Sequence, residues 1–364
     1  MTTRVTDLHC DTVLEVQGGA DLLAGHPEGQ LDLERLERGG VGLQVFACYV
    51  APTIPHGRAH ALALELLDRI DEACARSTGK LAKAETVADV DRVLGEGASV
   101  AAVAAIENGH AIEEDLAKLE RLRLRGVRYM TLTHARNLSW AASSGEKSCP
   151  FDGLTAFGEK VVAAMNETGM IVDVSHVHET TFWDVARLSR RPFIASHSNA
   201  VALCPTPRNL TDDQIKAVAA SGGMVGINFY PGFLDREYAA KQDAELGDLF
   251  EALEAIERAH RYDARARLAE GRKLAARQRE RMAAVRPGME RILDHVEHVA
   301  RLVGDDHVGF GTDFDGVPDL PEAVPDCSAF PRILEGLKER GFGEASIEKI
   351  AWGNFRRVLD AAPS

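Results

Sequence analysis

No two of the six cysteines (Cys10, Cys48, Cys74, Cys149, Cys204, Cys327) form a CxxC pair. Scattered cysteines of this kind suit reduced thiols in a cytoplasm better than a disulfide framework. No apolar run reaches the roughly 18 residues that a membrane span needs. MTTRVTDLHCDT at the start runs straight into a strand-like segment rather than a secretory leader, and LDAAPS at the end is no lipid-anchor signal. A cytoplasmic location without membrane attachment is therefore expected. Basic residues are in the minority, 42 Lys and Arg against 56 Asp and Glu, for a net charge of −14. That balance argues against general affinity for nucleic acid or anionic membrane and leaves a cationic or zwitterionic small substrate compatible. There is no low-complexity linker and no internal repeat beyond an alternation of strand-like and helix-like segments.

That alternation organises the chain. At 364 residues with 45% hydrophobic content, a single large α/β barrel is feasible. Apolar β-type runs fall at 5–11, 41–50, 98–107, 126–134, 169–176, 193–197, 222–229 and 307–313. Amphipathic stretches separate most of them, which implies parallel strands with crossover helices. Eight such units predict a (β/α)8 TIM-type barrel forming one domain over 1–364. One connection is oversized. Residues 234–303, between the seventh and eighth strands, are rich in Ala, Glu and Arg. Within them, 246–285 reads as one long helix or a helical pair, broken at Pro287-Gly288 before a further helix. The interspersed Glu and Asp explain its arginines as i,i+4 pairs rather than as a nucleic-acid surface. A flap over the barrel mouth or a homodimer contact is the expected role.

Groups able to bind metal or transfer protons stand at the ends of these runs: His9 and Asp11, Glu107, His134, His176, His197 and Asp313. In a parallel barrel the strand ends converge, so dispersed residues can share one site. Four histidines and three carboxylates there point to a metal centre, with two ions. His9 and Asp11, at i,i+2 on a strand, project from one face, and their donor types suit Zn²⁺. Glu107 closes the apolar run SVAAVAAI, where a carboxylate is costly unless compensated; its two oxygens can bridge two cations. His134 could be a further ligand or could polarise a carbonyl. Asp313 can accept a proton from metal-bound water, and Asp315, two residues on, competes for that role. Arg208 lies in a loop stiffened by Pro205 and Pro207; a surface arginine and a holder of a substrate carboxylate are equally compatible with that setting. Asn209 or Thr211 would cap the helix that follows.

Taken together, DLHCDT, IENGH, YMTLTHARN, VDVSHV, SHSNAVALCPTPRNLTDD, MVGINFY, GFGTDFDG and WGNFRRV make the chain similar to the membrane (renal) dipeptidase family. These are metallopeptidases on an amidohydrolase-type barrel. The resemblance implies two Zn²⁺ ions, one on His9 and Asp11, the other on His176 and His197, with Glu107 bridging. It implies a bridging hydroxide as nucleophile, His134 at the scissile carbonyl, Asp313 as proton shuttle and Arg208 on the substrate's terminal carboxylate. Tyr49 looks like a pocket residue of bacterial relatives. The implied substrates are dipeptides, L-Xaa-L-Xaa and L-Xaa-D-Xaa. Without a leader or anchor, the chain resembles a cytoplasmic bacterial-type member. The competing expectations are another binuclear hydrolase acting on a cyclic amide or ester, and a metal-binding protein that does not catalyse. Many barrel hydrolases bridge their metals with a carboxylated lysine after the fourth strand; none stands there in this chain.

Overall fold

A computed structural model describes residues 3–362 apart from 147, 150, 247 and 248. Its parallel strands are β1 (Val5–Cys10), β2 (Val41–Tyr49), β3 (Leu81–Lys83), β4 (Val100–Glu107), β5 (Val127–Thr131), β6 (Ile171–Asp173), β7 (Val225–Ile227) and β8 (Val308–Phe310). The sheet runs β6-β5-β4-β2-β1-β8-β7, with β3 also paired to β4. The segment 193–197 spans the gap between β6 and β7. Ile194 bridges Asp173, and Ala195 bridges Val225. The result is a (β/α)8 TIM-type barrel.

Two expectations need correction. The sixth strand is reduced to those single bridges, because the chain turns sharply at both of its ends. A strand also went unforeseen: β3 pairs Leu81–Lys83 with Val100–Ala102, below the start of β5 on the same edge of β4. Three residues are too few to show a period.

Strands buried on both faces are apolar along most of their length. All of β1, β2 except Tyr49, and all of β4 are buried. On β4, Ala101, Val103 and Ala105 belong to one cluster with Leu43, Val45, Tyr129 and Ile194, and this cluster reaches Phe355, Val358 and Leu359 of the C-terminal helix. Val100, Ala102, Ala104 and Ile106 pack outward in the other. Glu107 continues the inward series, so strand periodicity alone turns its carboxylate into the barrel mouth. Register sets its neighbours: Tyr49 pairs with Glu107, Glu107 with Thr131, and Thr131 with Asp173.

Residues 231–285 form helices Pro231–Leu234, Arg236–Leu246, Leu249–Ala259 and Ala264–Met282, and then a short 3-10 turn. The stretch expected to be one long helix or a helical pair is thus the pair Leu249–Ala259 and Ala264–Met282. Asp263 accepts from the Ala266 amide and starts a new helix, which is ordinary N-capping. Helix Glu290–Val303 follows Pro287-Gly288 and packs on β7 and β8. Among the described residues no helix is long and apolar enough to cross a membrane.

Candidate metal centre

Glu107 is the hub of the mouth. Its Oε1 lies 3.1 Å from His176 Nε2, 3.5 Å from His197 Nε2 and 3.8 Å from His134 Nε2. Its Oε2 lies 3.7 Å from His9 Nε2, which is 3.8 Å from Asp11 Oδ2. One carboxylate oxygen therefore faces His9 and Asp11, and the other faces His176 and His197. Three sets of side chains here are close enough to hold an ion: His9–Glu107–His197, Glu107–His134–His176 and His9–Asp11–Asp313.

Two observations show that these residues suit cations. His9 Nε2 and Asp11 Oδ1 are buried with no hydrogen-bond partner, a costly state for a polar atom that a metal would relieve. The carboxylates are also crowded. Burial, and then Glu107 and Asp313, push the Asp11 carboxyl well above its usual range. Glu107 is driven the other way: burial opposes its charge, but His134 and His9, with hydrogen bonds from His176 and His197, hold it well below. Burial lowers His134, His176 and His197, which favours neutral imidazoles with a lone pair to offer.

Outer hydrogen bonds aim those lone pairs. The Tyr129 hydroxyl donates to Leu8 O at 2.8 Å and lies 2.7 Å from His9 Nδ1. Its proton is committed, so it accepts from Nδ1–H and leaves Nε2 bare toward Glu107. His197 repeats the logic. Ser196 Oγ donates to Asp173 Oδ2 at 2.6 Å and lies 2.7 Å from His197 Nδ1. Asp173 is itself fixed by Thr131 Oγ1 and by the Ser175 and Ser196 amides. Such partners fix tautomer and ring orientation. Phenylalanine at Tyr129 is accordingly expected to weaken divalent-ion binding by about 10- to 100-fold with the fold retained. A chelator competition titration measures this, and unchanged affinity would refute the tautomer argument.

The backbone contributes as well. His176, Asp313 and Asp315 adopt left-handed φ of 66°, 64° and 65°, a conformation uncommon for non-glycine residues though Asp and His take it more readily than most. A Cβ at Gly316 would stand 2.1 Å from Asp11 Oδ2 and 2.5 Å from Asp313 Oδ1, so only glycine lets those two carboxylates share the site.

The two aspartates separate clearly. Asp313 Oδ2 accepts from Asn228 Nδ2 at 2.8 Å and stays in the cluster. Asp315 accepts from Thr12 Oγ1 and the Gln30 amide, both at 2.6 Å, in a loop-bracing role. Arg208 also reaches the mouth. It donates to Ser198 Oγ at 3.2 Å and His197 O at 3.0 Å, and lies 5.3 Å over the Phe233 ring. Its Nε is buried without a partner. Burial lowers it to about 10, so it stays charged at neutral pH. Its loop is held by Asn209, whose Nδ2 donates to Cys204 O and Phe233 O, while Thr211 caps the next helix in a capping box with Gln214. Tyr49, at the end of β2, stacks obliquely on His134 with centroids 4.5 Å apart.

The nine residues assigned to the site from the sequence therefore meet at one mouth. Sequence reasoning missed Tyr129, Ser196, Asp173 and Asn228. Asp173 had a visible signal, a carboxylate inside the apolar run MIVDV.

The family model for membrane dipeptidase (peptidase family M19) matches residues 1–364. The chain belongs to that family. Among relatives in the membrane dipeptidase family, it is 30% identical to Dipeptidase aclJ of Aspergillus oryzae over 91% of this chain and 69% of that protein. It is 29% identical to Dipeptidase 3 of Rattus norvegicus, over 91% of this chain and 58% of that protein. The chain thus spans little more than half the length of the rat relative. A metallopeptidase of Rhodobacter sphaeroides, crystallised with a phosphinate mimic of the dipeptide L-Ala-D-Ala, has a similar structure. It shows 27% identity and a TM-score of 0.80 over 100% of both chains. The probable dipeptidase PvdM of Pseudomonas aeruginosa gives 25% identity and 0.82, over 99% of this chain and 96% of that one.

Proposed function

We propose that this chain is a zinc-dependent dipeptidase, with residues 1–364 acting as one catalytic domain. The observation that carries the reading is Glu107, a buried carboxylate presenting one oxygen to His9 and the other to His176 and His197, with the half-buried Arg208 at the same mouth. His9 and Asp11 would hold one Zn²⁺, His176 and His197 the other, and Glu107 both. When bound, two such cations supply hydroxide near pH 7 and positive charge beside the scissile carbonyl.

The protein's own groups do the rest. Arg208 receives the substrate's terminal carboxylate through the donors it does not spend on Ser198 and His197. With the carboxylate on Arg208 and the scissile carbonyl at the metal positions, substrates would be limited to two residues, because a longer peptide would have no carboxylate there. His134, kept neutral by burial, donates a hydrogen bond to the carbonyl oxygen as charge develops on it. Asp313, oriented by Asn228, takes the proton from the attacking water and passes it to the leaving amine.

The test is a comparison of free dipeptides with dipeptide amides, hydantoins and esters. Dipeptides are expected to be the good substrates. Arg208→Ala should lower kcat/KM for dipeptides by about 30-fold or more. Dipeptide amides should be poor substrates already and lose much less. Preference for hydantoins or esters, or equal losses on acid and amide, would contradict the reading.

A further inference from the structure

The helix Leu249–Ala259 has no place in the mechanism above, yet it reaches the mouth. Glu257, half-buried on this helix, accepts a hydrogen bond from Tyr49 OH at 3.0 Å. Tyr49 in turn stacks on His134, whose Nε2 is 3.8 Å from Glu107. Three residues earlier, Glu254 is paired with Arg136 and Arg258. Beside this seam lies a cavity of about 540 Å³ whose lining includes His110, Arg136, Trp140, Glu254 and Arg258. Glu254, on the helix that carries Glu257, therefore borders open space.

Topology says which part of a dipeptide faces this helix. Around the barrel the order is β1, β2, β4, β5, β6, segment 193–197, β7, β8. Tyr49 ends the second of these and Arg208 follows the sixth, so they stand on opposite sides of the mouth with Glu107 and His134 between them. A dipeptide with its carboxylate on Arg208 and its carbonyl at His134 points its amino end at Tyr49 and Glu257. The other carboxylates of the mouth are committed. Asp11 and Glu107 face the cation positions, Asp313 is held by Asn228, and Glu254 has its arginines. Among the described residues, Glu257 is not paired with a cation in this way. Arg267 acts on it only through space and donates to Gln17 instead.

We propose that Glu257 is a substrate-binding residue that receives an ammonium group on the dipeptide's amino-terminal residue. This rests on the dipeptidase reading. Burial raises the Glu257 carboxyl to about 7, with Glu254 and Glu107 adding to the rise, and an arriving cation favours its charged form. The ammonium can be the α-amino group of any dipeptide or the side chain of an amino-terminal lysine.

Steady-state kinetics of the parent and Glu257→Gln separate these sources. The substrates are L-Leu-L-Ala, L-Lys-L-Ala and 4-methylpentanoyl-L-Ala, the analogue of Leu-Ala lacking the amine. If the α-ammonium is bound, kcat/KM falls by about 10-fold or more for both dipeptides and hardly at all for the des-amino compound. If the side chain is bound, only L-Lys-L-Ala is affected. Should the des-amino compound turn over too slowly, its Ki as a competitive inhibitor is compared in both proteins. Equal losses on all three ligands would mean that Glu257 merely holds the helix, and no loss on any would also overturn the proposal. Glu254→Gln, which loosens the same seam, should affect amine and des-amino ligands alike. A parent that hydrolyses no dipeptide refutes the dipeptidase reading itself; one that does, with no such discrimination, refutes only the role of Glu257.

Discussion

Replacing Glu107 by glutamine is expected to remove at least one divalent ion and to lower kcat by about 10³ or more. Glutamine keeps the volume and one carbonyl oxygen, so Ala105, Ile106 and the β2–β4 register are undisturbed. It loses the charge that four imidazoles surround, and it puts an amide donor where a second cation-facing oxygen stood. Structural zinc ligands are carboxylate, thiolate and imidazole rather than amide nitrogen. Elemental analysis of the purified variant, with circular dichroism to confirm folding, gives the result directly. A folded variant with two ions and parental kcat would show that Glu107 only buffers the histidines.

Asp313→Asn carries the second large expectation: nearly full metal content with kcat lower by about 10² or more. Asp313 sits in ligand range of His9 and Asp11, so geometry alone would also allow it to coordinate. Its Oδ2, however, is held by Asn228, as suits a group that must stay oriented while its proton comes and goes. Asparagine can keep the shape but cannot carry the proton. Asp315→Asn is the control. It loses braces to Thr12 and Gln30 and should cost stability while leaving the pH profile of kcat unchanged. Loss of both ions from Asp313→Asn would make it a ligand instead.

The barrel and its centre were legible for different reasons. Strands such as β4 announce themselves because burial on both faces demands an unbroken apolar run, and a carboxylate ending that run stands out. His9 and Asp11 follow from spacing on a strand. Asp313 and Asp315 could not be separated, because period two puts both on one face if the strand continues. It does not: β8 ends at Phe310 and both residues take left-handed φ. The same early ending affects the run to His176, which lies beyond Asp173 rather than within a strand. Tyr129 was hidden because an aromatic in a buried strand reads as core, and only its hydroxyl's two partners mark it as an orienting group. Glu257 was hidden in a helix with three glutamates, Glu251, Glu254 and Glu257, where one looks like the next until the fold sets it beside Tyr49.

The proposed binuclear metal centre on this mouth would hydrolyse dipeptides only with its ions in place. The most direct measurement is the number of divalent ions per chain, taken together with L-Ala-D-Ala hydrolysis before chelation, after it, and after return of zinc. About two ions are expected, with loss of turnover on their removal and recovery as two equivalents are restored. A protein that hydrolyses the dipeptide at full rate with no metal bound would contradict this expectation.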